Sequence, residues 1–292
     1  MTGFRVIDSH HHLWDPKVLR YSLLEDIEEL SRPFLADDFE EEARRLAIGR
    51  SICVEAASAG ADGRRETAWL LRQMERSARI VALIAWAPLD RPDLGHYLDW
   101  LSSLEAKPIV GIRRSFEFES DGFPGQPAVI EGARLAGERG FVVDLVLFAR
   151  SLQATITLVE ACPQTQFVLD HLGKPPIREG RFEPWASELR ELAACPNVAC
   201  KLSGLPVEAD RTTWTTAILR PYVEHGFDCF GAERLLFGTD WPVVNLAGGA
   251  GRWFTAVSEL LQPLDHDVRA AVLGENARRV YGVGPGLVSS GS

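Results

Sequence analysis

The sequence predicts an α/β fold, a single (β/α)₈ or TIM barrel, and three observations carry that reading. Eight short apolar runs alternate with longer amphipathic ones along the 292 residues. Several of the apolar runs are hydrophobic on both faces, the pattern of parallel strands covered by helices. No glycine-rich phosphate loop follows the first run, so an open dinucleotide-binding sheet lacks its signature. A chain of this length accommodates one such barrel.

The elements follow in order. Strand 1 is read in FRVID (4–8), before the helical pattern DDFEEEARRLA (37–47). Strand 2, SICVEA (51–56), precedes a helix over 63–77, and strand 3, RIVALIAW (79–86), one over 92–105. Strand 4, IVGIRR (109–114), leads through SFEFESDGFPGQP (115–127) to a helix over 128–140. That irregular stretch is the longest after a strand and is expected to lie over the barrel mouth as part of a lid. Strand 5, FVVDLVLF (141–148), and strand 6, QFVLDH (166–171), precede helices over 151–162 and 182–195. Strand 7, NVACKLS (197–203), precedes a helix over 212–226, and strand 8, RLLFGTD (234–240), precedes helices over 251–262 and 266–282. The barrel is assigned to residues 1–283, and GPGLVSSGS (284–292) to a flexible tail.

Composition narrows the partners. Thirty-one Lys and Arg against 41 Asp and Glu give a net charge of −10. That balance argues against nucleic acid or an anionic membrane as the main partner, since both need basic patches. Cys53, Cys162, Cys195, Cys200 and Cys229 form no C-x-x-C pair, so reduced thiols are expected rather than a disulfide framework or a zinc module. The N-terminal residues lack the cationic and apolar segments of a signal peptide, and no apolar run approaches about 18 residues, so a cytoplasmic location is expected.

In a TIM barrel the chemistry gathers at the C-terminal ends of the strands. Strand 1 ends in His10-His11-His12, strand 2 carries Glu55, and strand 3 ends at Trp86. Strand 4 ends in Arg113-Arg114, strand 6 in Asp170-His171, strand 7 carries Lys201 and Ser203, and strand 8 ends in Asp240-Trp241. Alternation in an extended chain puts His10 and His12 on one face, where two imidazoles hold one metal ion or one oxyanion. It turns His11 away, into a structural role, and turns Asp170 away from the face of His171, toward a helix or a partner that supports the site. Gly238 is read as a site of close approach by a neighbouring strand. Asp240 is placed to ligate a metal, or to take a proton from water and return it to a leaving group. One of Arg113 and Arg114 faces the mouth, where its planar fork suits a carboxylate or sugar hydroxyls; salt bridging to a carboxylate is the other use. Lys174 and Lys201 are similar cases, and the acidic surface offers them partners. Trp14, Trp86 and Trp241 follow strand ends and offer faces for a sugar ring, or serve as core at the mouth.

The runs VIDSHHHLWDP, LDHLGKP, CKLSG and FGTDWPV, in this order from about Ile7 to Tyr281, resemble the amidohydrolase superfamily. Within it they resemble the branch of sugar lactonases and pyrone-dicarboxylate lactonases. The resemblance implies a distorted (β/α)₈ barrel that hydrolyses lactones, most simply a sugar lactone such as an aldonolactone. It matches His10 and His12 to the first-strand pair, His171 to the sixth-strand histidine and Asp240 to the eighth-strand aspartate. Strand 5 ends without the histidine that many metal-dependent relatives carry, so a two-metal centre is not expected. The branch includes metal-independent lactonases and members with one divalent ion; His10, His12 and Asp240 are the candidate ligands of a zinc-like ion, with Glu55 as a further one. Asp240 and His171 are the candidate catalytic pair, and Arg113, Arg114, Lys174, Trp14, Trp86 and Trp241 the candidate substrate-binding residues. A metal-dependent decarboxylase on the same barrel is the alternative, and a non-catalytic binding protein a more distant one.

Overall fold

The computed structural model describes residues 6–21, 24, 27–56, 63–104 and 108–284. Residues 4–5 of the first expected strand, residue 105 of the third expected helix and nearly all of the expected tail lie outside the described residues. Eight parallel strands form one sheet in sequential order: β1 Val6–His11, β2 Ile48–Val54, β3 Ile80–Trp86, β4 Ile109–Arg113, β5 Val142–Leu145, β6 Phe167–Leu169, β7 Val198–Leu202 and β8 Leu235–Phe237. The two ends of the sheet meet. Ser9 Oγ donates to the Phe237 carbonyl at 2.7 Å, the Asp240 N–H to the His10 carbonyl at 2.8 Å, and the His12 N–H to the Trp241 carbonyl at 2.7 Å. The result is the expected (β/α)₈ barrel.

Helices cover the outside. They are α1 Ala36–Arg45, α2 Gly63–Met74, α3 Leu94–Ser102, α4 Pro127–Glu138, α5 Leu152–Glu160, α6 Trp185–Ala193, the short α7 Leu205–Glu208, α8 Thr216–Phe230 and α9 Gly249–Leu261. Helix α1 shows why they form. Ala36, Phe39 and Ala43 recur at helical spacing on its buried face. Asp37 and Asp38 sit at its positive end, Arg44 and Arg45 at its negative end. Helix α4 opens on Pro127, whose missing N–H costs nothing in a first turn. The last expected helix is interrupted: α10 His266–Ala270 and α11 Asn276–Val280 are joined by a π-helical turn, Ala271–Glu275.

Two apolar layers hold the barrel. A large one lies between strands and helices, and a smaller one fills the interior with Ile7, Ile52, Val54, Ile84, Val168 and Leu236. Ala277, Tyr281 and Val283, at the end of the helical layer, pack against that interior cluster. Short strands also set the mouth. β6 stops at Leu169 and β8 at Phe237, three residues before Asp240, so the polar residues expected at strand ends lie on turns beyond the ladder.

Candidate active site

Three histidines and one aspartate converge where β1, β6 and β8 end. His10 Nε2 and His12 Nε2 are 3.0 Å apart, and Asp240 Oδ1 lies 3.7 Å from the first and 3.6 Å from the second. The His171 ring centroid is 4.6 Å from that of His10. All four residues are buried. His11 faces the other way, with Nε2 3.2 Å from Ser51 Oγ and its ring centroid 3.7 Å from that of Phe39.

The backbone gives up ordinary conformations to achieve this. Asp240 (φ 58°), His171 (φ 57°), Leu172 (φ 51°) and Lys174 (φ 50°) are all left-handed. Each such non-glycine residue costs roughly 1–3 kcal/mol, and they cluster where function over-determines the geometry. Around them, glycines permit contact. A Cβ on Gly238 would sit 2.7 Å from the Cβ of His10 and 3.2 Å from that of Ser203; one on Gly204 would sit 2.6 Å from the His171 ring.

Hydrogen bonds orient each ring. His12 Nδ1 lies 2.9 Å from the Val54 carbonyl, which accepts only, so the proton is on Nδ1 and the lone pair on Nε2. His171 Nδ1 lies 2.8 Å from Ser203 Oγ. His10 Nδ1 lies 3.1 Å from Lys201 Nζ and 3.3 Å from Asp170 Oδ1. Behind it, fully buried Lys201 reaches Asp144 Oδ2 at 2.5 Å and Asp170 Oδ1 at 3.0 Å. Tyr281 donates to Asp144 from 2.9 Å. Asp8 ties the floor together, accepting from the N–H groups of His10 and Thr239 at 3.0 and 2.8 Å.

Charge follows from these contacts. Burial lowers His171 to about 4, so it is neutral at physiological pH. Burial would raise the Asp240 carboxyl, but its neighbours His171, His12 and Lys174 outweigh that and keep it below its ordinary range. Burial and the Lys201 ammonium hold His10 well below the usual imidazole range. Burial pushes Asp144 up to about 6 against the pull of Lys201.

The donor set fits a divalent metal. His10, His12 and Asp240 offer two imidazole nitrogens and a carboxylate oxygen within 4.8 Å of one another. Tetrahedral ligands about 2.0–2.1 Å from a zinc ion stand roughly 3.3–3.4 Å apart, which the spacings of 3.0, 3.6 and 3.7 Å bracket. A second set, His10, Asp170 and His171, is also close, but Asp170 already faces the cations of Arg113 and Lys201.

A cavity of about 630 Å³ opens above this cluster, a size usual for a small-molecule site. His12, His171, Asp240, Arg113, Lys174 and Trp14 line it. So do Ser115, Glu117 and Phe118 from 115–127, the segment expected over the mouth. Arg114, Trp86 and Trp241 do not line it. Arg114 pairs with Asp90 and Glu119, each at 2.8 Å. Trp86 lies edge-on to Tyr97 and under Gly63, between strand and helices. Trp241 is buried, its ring edge-on to Phe34. Of the arginine pair, Arg113 faces the mouth, yet its fork holds Glu55 Oε1 at 2.6 Å and Asp170 Oδ2 at 3.0 Å. Glu55 therefore stands apart from the three converging donors.

Asp170 corrects the sequence reading. It was expected on the face opposite His171, toward a helix or a partner that supports the site; it does support the site, but from the same side, reaching His10, Arg113 and Lys201 at the floor. Alternation fails there because the chain leaves the strand at Leu169 and turns through Asp170–Gly173. Asp144, Glu117, Glu208 and Tyr281 were not singled out. An aspartate inside the apolar run FVVDLVLF was the visible signal for the first; the others lie on segments whose approach only the fold reveals.

Fold and site together define a (β/α)₈ barrel built for hydrolytic chemistry, with a His/Asp cluster at the C-terminal mouth. The chain belongs to the amidohydrolase family, whose profile spans residues 7–283. It is 33% identical over 283 residues to an L-fucono-1,5-lactonase of Burkholderia ambifaria, covering 94% of each chain. It is 32% identical over 292 residues to an L-fucono-1,5-lactonase of Burkholderia multivorans, covering 94% of this chain and 95% of that one. A crystal structure of an amidohydrolase from Burkholderia multivorans with bound zinc superposes with a TM-score of 0.87 at 32% identity, over 95% of this chain and 99% of that one.

Proposed function

We propose that the chain opens the ring of a sugar lactone, with Asp240 and His171 as the catalytic pair. The observation that carries the reading is the convergence of His12, His171 and Asp240 on the floor of one cavity, with His10 directly beneath them. The lactonases it resembles support a cyclic ester of a sugar acid as substrate.

Ester hydrolysis needs an activated water, a place for charge on the carbonyl oxygen and a proton for the departing alkoxide. Asp240, ionised because its pKa is depressed, takes the proton from water and later returns it to the ring oxygen as the C–O bond breaks. Ser203 Oγ lies 2.8 Å from His171 Nδ1; with the hydroxyl as the donor, this neutral ring carries its proton on Nε2. That N–H donates to the carbonyl oxygen as its charge grows; one such donor supplies about 2.7–4 kcal/mol to the transition state. Trp14 lines the cavity with its Nε1 already donating to the carbonyls of Leu30 and Arg32, so it offers substrate an apolar surface. His10, His12 and Asp240 would hold a divalent, zinc-like ion, which when bound supplies a Lewis acid for the ester carbonyl. Five free thiols, and the absence among the described residues of any helix long and apolar enough to cross a membrane, support a cytoplasmic enzyme.

A panel of sugar lactones followed by pH indicator, with and without chelator, tests the reading. Acid release on at least one aldonolactone is expected. Silence across the panel, or carbon dioxide release from an aromatic acid instead, would overturn it.

A further inference from the structure

One charged row in the cavity is not used by this chemistry. Lys174 stands between two carboxylates: Glu117 Oε1 accepts from its Nζ, and Glu208 Oε1 lies 3.8 Å from the same atom. All three residues line the cavity, with side chains only 13–21% exposed. They come from three segments that cross the mouth, after β4, β6 and β7. The row carries two negative charges and one positive.

Other cations in the cavity wall do not change this balance inside. Arg113 is held by Glu55 and Asp170. Arg178 and Arg211 are exposed at the rim, and Arg178 turns its guanidinium to the carbonyls of Val207 and Ala209. The two arginines of the lining that no carboxylate holds thus lie at the exposed rim, and a substrate carboxylate that goes deeper, to the row, would lose water beside two carboxylates whose one ammonium is already shared, which is costly. Glu208 already feels that field: burial, Glu117 and Asp240 push its carboxyl up against the pull of Lys174. Hydroxyl groups meet the opposite situation. Two carboxylates accept, and an ammonium donates, in an alternating row suited to neighbouring hydroxyls.

We propose that Glu117, Lys174 and Glu208 determine specificity, binding adjacent hydroxyls of an uncharged lactone and turning away lactones that bear a carboxylate. The proposal rests on the lactonase reading and names the substrate class of the same site.

The test compares two lactones of one ring size and configuration: an aldonolactone and the aldarolactone that carries a carboxylate at C6. Wild type should prefer the neutral one by about 100-fold or more in kcat/KM, the scale of an unfavourable like-charge contact. In the double variant Glu117→Gln and Glu208→Gln, that ratio should shrink at least about tenfold, mainly through KM. If the double variant lacks a cooperative thermal transition, Glu208→Gln alone is read the same way and should still lower the ratio. Equal wild-type rates on both lactones, or an unchanged ratio in a folded variant, would overturn the charge filter alone. No turnover of either lactone would overturn the lactonase reading with it.

Discussion

Replacing Gly238 by alanine should separate positioning from stability. The added Cβ would lie 2.7 Å from the Cβ of His10 and 3.2 Å from that of Ser203. Ordinary contact begins at 3.4 Å, so the strand end and His10 must part by about 0.7 Å, and both neighbours are backbone-proximal atoms that cannot rotate away. Gly238 does not have a positive φ, so the substitution carries no left-handed penalty and the effect is contact alone. Overpacking of this kind costs about 1–3 kcal/mol. Activity should suffer more, because a shift approaching 1 Å in a catalytic or ligating group costs about 10²-fold. Lactone turnover and a thermal melt measure the two effects on the same sample. Gly122→Ala is the control: nothing lies within 4 Å of its added Cβ, and both readouts should match wild type. A Gly238→Ala protein with wild-type kcat would refute the claim that this glycine sets the position of His10.

Ser203→Ala removes the partner 2.8 Å from His171 Nδ1 and should lower kcat about 10–100-fold, with KM and melting temperature little changed. Tyr281→Phe leaves Asp144 with one donor fewer and should cost about 1–3 kcal/mol near neutral pH. Because the folded pKa of Asp144 is raised to about 6 from 3.8, the folded state takes up its proton first as pH falls. The difference between Tyr281→Phe and wild type should therefore shrink below about pH 6; denaturant melts at pH 7 and pH 5 check it. Arg113→Ala strips Glu55 and Asp170 of their shared cation and should destabilise by about 3–5 kcal/mol, read from the same melts.

The barrel was legible because strands buried on both faces leave long apolar runs, and eight of them survive inspection of the chain. Most boundaries fall within a few residues. β6 and β8 are shorter than the strands expected at 166–171 and 234–240: each ladder ends with its apolar residues, and the chain beyond turns through left-handed His171 and Asp240, which nothing in the side chains announces. The pairing of His10 with His12 followed from alternation, which holds inside a strand. The same rule misplaced Asp170, one residue past a strand end. Which arginine faces the mouth was open in the sequence and is settled by the register of β4, which turns Arg113 inward. The tryptophans after strand ends look alike in sequence, yet only Trp14 reaches the cavity. Trp86 and Trp241 are taken up by aromatic packing behind it. Lys201, Asp144 and Tyr281 are 57 and 137 residues apart along the chain in their two contacts, a separation no local pattern reports.

The most direct measurement is the turnover of Asp240→Asn on the best lactone of the panel. Asparagine tolerates the left-handed backbone at this position and matches aspartate in size, so the melt should stay close to that of wild type. The account predicts a folded protein that has lost most of its kcat. A folded protein with wild-type kcat would remove Asp240 from the mechanism and contradict the account.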